Sequence, residues 1–224
     1  LLRGQEWLSV TPEVKIRIGK EVVDPKKLDQ VEAGSGYFKV SWDGSEVQPE
    51  MGKVQVEKFS EGPGWGALYW QYFEQLDKIT SHKTPLSLKK SLFVQQNTPE
   101  GPVLKPITKQ TPLKPGDLLK VRIELRVDRD MEFVHMKDMR AAALEPVNVF
   151  SGYKYKGGLG YYESTRDAST NFFFDYLPKG TYVFEYPLRV THEGDFSNGI
   201  TTIQCMYAPE FTAHSEGVRL HVGE

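Results

Sequence analysis

The sequence predicts an all-β fold made of two antiparallel β-sandwich modules. Three observations carry this. The 224 residues include 12 Phe, 11 Tyr and 4 Trp, and flat rings suit the pleated, half-buried surface of a sheet. Short runs with period-two alternation recur along the chain, and no long block of helix formers interrupts them. Twenty Gly and 14 Pro punctuate those runs at the short intervals of a sandwich. A hydrophobic content of 39% is enough for a core, and the length allows one large or two small domains.

Residues 1–12 read as the end of an upstream element followed by a connector. The abrupt "LLRGQEWLSV", without Met or a sustained apolar stretch, reads as an interior piece of something longer and not as a signal peptide. Residues 13–76 form the first expected module. "EVKIRIGK" (13–20) sets Val14, Ile16 and Ile18 against Lys15 and Arg17, the pattern of a half-buried strand. "GYFKVSW" (36–42) and "GKVQVEKF" (52–59) predict two more. "WGALYWQYFEQL" (65–76) fits helical spacing and also a strand apolar on both faces. Its aromatic content favours the strand.

The polar stretch "DKITSHKTP" (77–85) is the expected linker, and 86–224 the second module. "LSLKKSLFVQQ" (86–96) resumes a strand pattern. In "LKPGD" (113–117) the proline presets φ at the second turn position and the glycine accepts positive φ at the third. The clearest strand follows in "LLKVRIELRV" (118–127). Leu119, Val121, Ile123, Leu125 and Val127 face one way; Lys120, Arg122, Glu124 and Arg126 face the other, as in an antiparallel sheet with one wet face. Further strands are expected at 133–139, 161–166, 170–177, 181–191, 199–207 and 217–222.

With 28 basic and 30 acidic residues evenly spread, the net charge of −2 gives no general attraction to nucleic acid or anionic membrane. No apolar run approaches the roughly 20 residues that span a bilayer as a helix.

Candidate chemistries are few. Cys205, the single cysteine, rules out an internal disulfide. Alternation puts it on the face of Ile203 and Tyr207, as an inert core residue; a nucleophile would need a base, with His214 nearest in sequence. Ser, His and Asp occur without a Gly-x-Ser-x-Gly elbow. The histidines at 82, 135, 192, 214 and 221 lack metal-ligand spacing. Asp128, Asp130 and Glu132 alternate in "VDRDMEF" but lack the calcium-loop pattern, so a solvated turn is expected. "YKGGLGYYE" (155–163) matches no phosphate loop and reads as a loop with aromatic flanks, open to a sugar or peptide. Tyr182, just after Gly180, suits a corner in which its hydroxyl bonds back to the preceding turn. No catalytic residue, cofactor or metal is expected.

The order of "RVDRDME", "GYYES", "LPKGTYVFEY" and "MYAPE" resembles the C-terminal end of bacterial alpha-2-macroglobulins, across nearly the whole chain and most densely from 118 to 217. The resemblance implies macroglobulin-like modules of immunoglobulin-like architecture in an envelope protein that traps proteases, periplasmic or anchored as a lipoprotein. It implies that residues 13–76 are the second half of a CUB-like domain interrupted by a thioester domain, with "LLRGQEWL" the tail of the interrupting domain. Residues 86–224 would correspond to the receptor-recognition domain of the animal proteins. The implied partners are the upstream domains of the same polypeptide and, through the intact parent, proteases. No Cys-x-x-Gln or Cys-x-Glu-Gln motif occurs, since Met206, Tyr207 and Ala208 follow Cys205, so the fragment itself should not trap a protease. Met206, Tyr207, Pro209 and Glu210 match the family segment that faces the thioester domain. The competing reading makes either Met206 or Tyr207 a core residue.

Overall fold

A computed structural model describes residues 13–28, 31–32, 36–62, 64–108 and 111–223. The expected upstream tail at 1–12 lies outside these. The chain divides into two units between Gln71 and Tyr72. In the first, β1 (Val14–Ile18), β2 (Glu21–Val23) and β3 (Val54–Lys58) form an antiparallel sheet in the order β2-β1-β3. Ile18, Val23 and Met51 are buried beneath it.

Two expectations fail here. Residues 36–42 are not a strand. Gly36 N–H bonds to the Glu32 carbonyl at 3.0 Å and Glu32 N–H to the Tyr37 carbonyl at 2.8 Å, and among the described residues Phe38 has only an isolated bridge to Val31. Phe38, Val40 and Trp42 are partly buried against Ile18, Val23 and Met51. Residues 65–75 are neither strand nor helix, and Leu76 opens a 3-10 turn. A segment apolar on both faces needs a sheet on each side, and it has no ladder partner among the described residues. Its rings therefore stand exposed, Trp65 stacking only on Tyr37 at 5.7 Å.

The second unit begins with a 3-10 turn, Leu76–Lys78, and an extended stretch. Asp77 accepts a hydrogen bond from Ser197 at 2.9 Å, and His82 exchanges backbone hydrogen bonds with His214, both 3.0 Å. Gly217 lies so close to Leu76 that a Cβ there would sit 1.6 Å from the Leu76 carbonyl oxygen.

The strands that follow are β4 (Leu86–Thr98), β5 (Gly101–Pro106), β6 (Leu118–Val127), β7 (Met131–Met139), β8 (Leu144–Pro146), β9 (Gly152–Lys156), β10 (Leu159–Thr165), β11 (Ser169–Leu177), β12 (Gly180–Val190), β13 (Gly194–Ser197), β14 (Thr201–Cys205), β15 (Thr212–His214) and β16 (Arg219–Val222). They make a six-stranded sheet, β15-β14-β7-β11-β10-β9, a five-stranded sheet, β5-β4-β6-β12-β8, and the ribbon β13-β16. Every strand-to-strand pairing among the described residues is antiparallel, and one isolated bridge, Leu113 to Val222, is parallel.

The two large sheets share one core, in which Tyr161, Phe172 and Phe174 of the six-stranded sheet meet Phe184 of the other at 5.3–5.6 Å between ring centroids. The fold is therefore all-β and antiparallel, as the sequence predicts. All five apolar residues expected to face inward on 118–127 are buried. The 113–117 turn closes with Asp117 N–H to the Lys114 carbonyl at 3.1 Å and Gly116 at φ 95°, a conformation that costs glycine little.

Candidate functional site

The "MYAPE" segment is the tip of the β14–β15 hairpin. Cys205 N–H bonds to the Phe211 carbonyl at 3.0 Å, and a turn from Ala208 to Phe211 closes the loop. Strand β14 stops at Cys205, so the alternation stops with it. Ile203 and Cys205 are buried as expected. Tyr207, expected on their face, is instead 81% exposed, and Met206 is 60% exposed. Neither is a core residue. Pro209 and Glu210 are exposed as well.

Phe133, on the neighbouring strand β7, was not singled out by the sequence reading. Its carbonyl accepts Met206 N–H at 2.9 Å. Its φ is 52°, the one positive value at a non-glycine among the described residues. That conformation costs roughly 1–3 kcal/mol. It leaves Glu132 and Phe133 exposed in succession where β7 would otherwise alternate. The Phe133 ring meets Tyr207 edge-on, 5.3 Å between centroids at 87°.

Phe133 and Tyr207 line an open concavity of about 400 Å³ together with Asp130, Met131, Glu132, Tyr176 and Cys205. Asp130 accepts from Lys179 N–H and from the Tyr176 hydroxyl, both 2.7 Å. Those donors, the Lys179 backbone first, hold its carboxyl below the usual carboxylate range, and the same hydrogen bond raises the Tyr176 phenol.

The remaining candidates resolve into structural roles. The Cys205 thiol donates to the Glu132 carbonyl at 3.4 Å, and the residue opposite it is Val134; His214 stands opposite Thr202. Asp128 pairs with Arg129 at 2.9 Å. Tyr182 donates to the Pro178 carbonyl at 2.8 Å, the corner its sequence context predicts. "YKGGLGYYE" forms the β9–β10 hairpin, turning at Gly157 and Gly158 with φ 60° and 81°. Tyr153, Tyr162, Phe173 and His135 lie in register across four strands. His135 stacks on Phe173 at 4.6 Å, and Tyr153 meets Tyr162 edge-on.

One buried polar cluster escaped the sequence reading. Lys90 and Asp138, side chains 1% and 0% exposed, meet at 2.6 Å between the two sheets. Lys90 also donates to the Met139 carbonyl at 2.7 Å, and Asp138 accepts from Thr201 at 2.7 Å and from the Tyr186 hydroxyl. Burial first, and then the Asp138 charge, push the Tyr186 phenol well above its ordinary value. Nearby, Arg140 donates to Thr170 at 2.8 Å, and burial lowers its guanidinium. The signal was present: Lys90 shares the inward parity of Leu88 and Leu92, and Asp138 that of Val134 and Met136.

The profile of the bacterial alpha-2-macroglobulin MG10 domain matches residues 86–210. No curated protein sequence matches. Among solved structures, a mutant of Salmonella alpha-2-macroglobulin is similar at TM-score 0.51 and 18% identity over 65% of this chain. Native Escherichia coli alpha-2-macroglobulin from domain MG7 to the C-terminus gives 0.51 and 14% over 64%. The native conformation of the E. coli protein gives 0.52 and 14% over 70%. The chain covers 10%, 24% and 10% of those chains.

Proposed function

The chain belongs to the bacterial alpha-2-macroglobulin family, and on that premise we propose that it serves as the non-catalytic C-terminal part of a protease-trapping protein of the cell envelope. In this reading residues 13–76 complete a CUB-like domain, 77–85 join the modules, and 86–224 form the terminal macroglobulin-like sandwich. Its task is scaffolding and contact with upstream domains of the same polypeptide, the thioester domain first. Proteases are met only by the intact parent.

The observation that supports this best is the bare hairpin tip. Met206, Tyr207, Pro209 and Glu210 are all exposed, and Tyr207 is held by a ring on a strained backbone. Apolar side chains presented together on a rigid element suit a docking surface. Hydrogen exchange tests the reading. Amides of 203–211 should be better protected in the intact parent than in this chain, and Tyr207→Ala in the parent should erase the difference. Equal exchange in both proteins would remove the docking role.

A further inference from the structure

We infer that the concavity between Phe133 and Tyr207 receives a basic side chain, arginine or lysine, from the protein surface that docks on the 206–210 loop. This rests on the docking reading above and adds the chemistry of the partner.

Two features converge on a cation. The concavity is lined by three aromatic residues, Phe133, Tyr176 and Tyr207, and by two acidic ones, Asp130 and Glu132. A cation within about 6 Å of such rings is attracted by their quadrupoles. The Glu132 side chain makes no hydrogen bond or ion pair among the described residues, the residue's one contact outside the ladder being the carbonyl that accepts from Cys205, so its charge is open to a partner. The nearby cations are engaged by Asp128 or by Asp130, which leaves the Glu132 charge. Arg129 is engaged by Asp128 at 2.9 Å and lies over the Phe211 ring at 5.5 Å. Lys179 engages Asp130 through its backbone N–H and its charge.

The alternatives fit less well. A purely apolar side chain would desolvate the Glu132 charge without compensation, which is costly. An acidic one would meet like charges. A neutral sugar would leave the Glu132 charge uncompensated. Phe133 is also held by a strained backbone, so the ring is positioned before the partner arrives, which lowers the ordering cost of binding.

The test uses this chain, labelled with nitrogen-15, and four capped alanine-flanked pentapeptides that differ only at the central residue: arginine, lysine, citrulline and norleucine. Saturable amide shifts at Phe133, Glu132 and Tyr207 with the arginine and lysine peptides, several-fold weaker with citrulline and absent with norleucine, are the expected result. Glu132→Gln should weaken the arginine peptide about two- to fivefold, the range of an exposed ion pair. Asp130 is left unchanged because it holds the 178–180 corner. Shifts equal for norleucine and arginine would overturn the basic partner while leaving a docking surface in place. An arginine peptide that binds Glu132→Gln as well as the parent sequence, or no saturable shift with any peptide, would overturn the inference itself.

Discussion

Strand β1, Val-Lys-Ile-Arg-Ile, and strand β6, Leu-Leu-Lys-Val-Arg-Ile-Glu-Leu-Arg-Val, carry the same alternation. Strand β6 buries all five of its inward residues to 2% exposure or less. In β1 only Ile18 is buried. The difference lies in what each sheet faces. The sheet of β6 is covered by the six-stranded sheet of its own unit. The described residues of the first unit offer β1 only a loop, a 3-10 turn around Met51 and three side chains without a ladder. Alternation states that a face needs covering; it does not supply the cover.

The largest predicted effect falls in the sandwich. Asp138→Ala would leave the buried Lys90 ammonium unpaired and should cost about 3–5 kcal/mol in denaturant unfolding. The same cluster sets an alkaline limit. The Tyr186 phenol ionises at higher pH folded than unfolded, so its contribution is complete below the unfolded value near 10 and is lost as pH rises toward the folded one. Stability measured by chemical unfolding should therefore fall above about pH 10, and Tyr186→Phe should flatten that fall.

In the first unit, Met51→Ala should cost about 2 kcal/mol, at the low end for a buried methionine. It should appear as faster amide exchange at Ile18 and Val23. Comparable losses from Met51→Ala and Asp138→Ala would erase the contrast between the units. Tyr182→Phe removes one hydrogen bond at the 178–182 corner and should cost about 1 kcal/mol in urea unfolding. Tyr207→Ala, at an exposed ring, should shift the stability of this chain by no more than about 0.5 kcal/mol. A loss of several kcal/mol, read by thermal melting, would make Tyr207 a core residue after all.

The sandwich was legible where a strand had one wet face and one covered face, as in 118–127 and 181–191. The edge strands were not. Strand β5 carries Pro102 and Pro106, which a ladder tolerates at an edge and which read as loop in sequence. The site was legible as a segment, "MYAPE", but the facing of Tyr207 was not. That facing depends on where β14 ends, and the end is tied to Phe133, seventy-odd positions away, whose left-handed φ no local pattern announces. Lys90 and Asp138 were visible as polar residues on inward-facing parity. Only their pairing across the sheets explains them.

Gly217 shows information carried by an omission. The chain entering the second unit passes over it nearer than any side chain would permit, and its N–H bonds to the Ile79 carbonyl at 2.9 Å. A hydrogen atom at position 217 thus works as a latch seat. Even an added methyl group would wedge residues 76–79 off the sandwich while leaving both large sheets intact, which makes this one position a handle for freeing the entering segment without unfolding the module it enters.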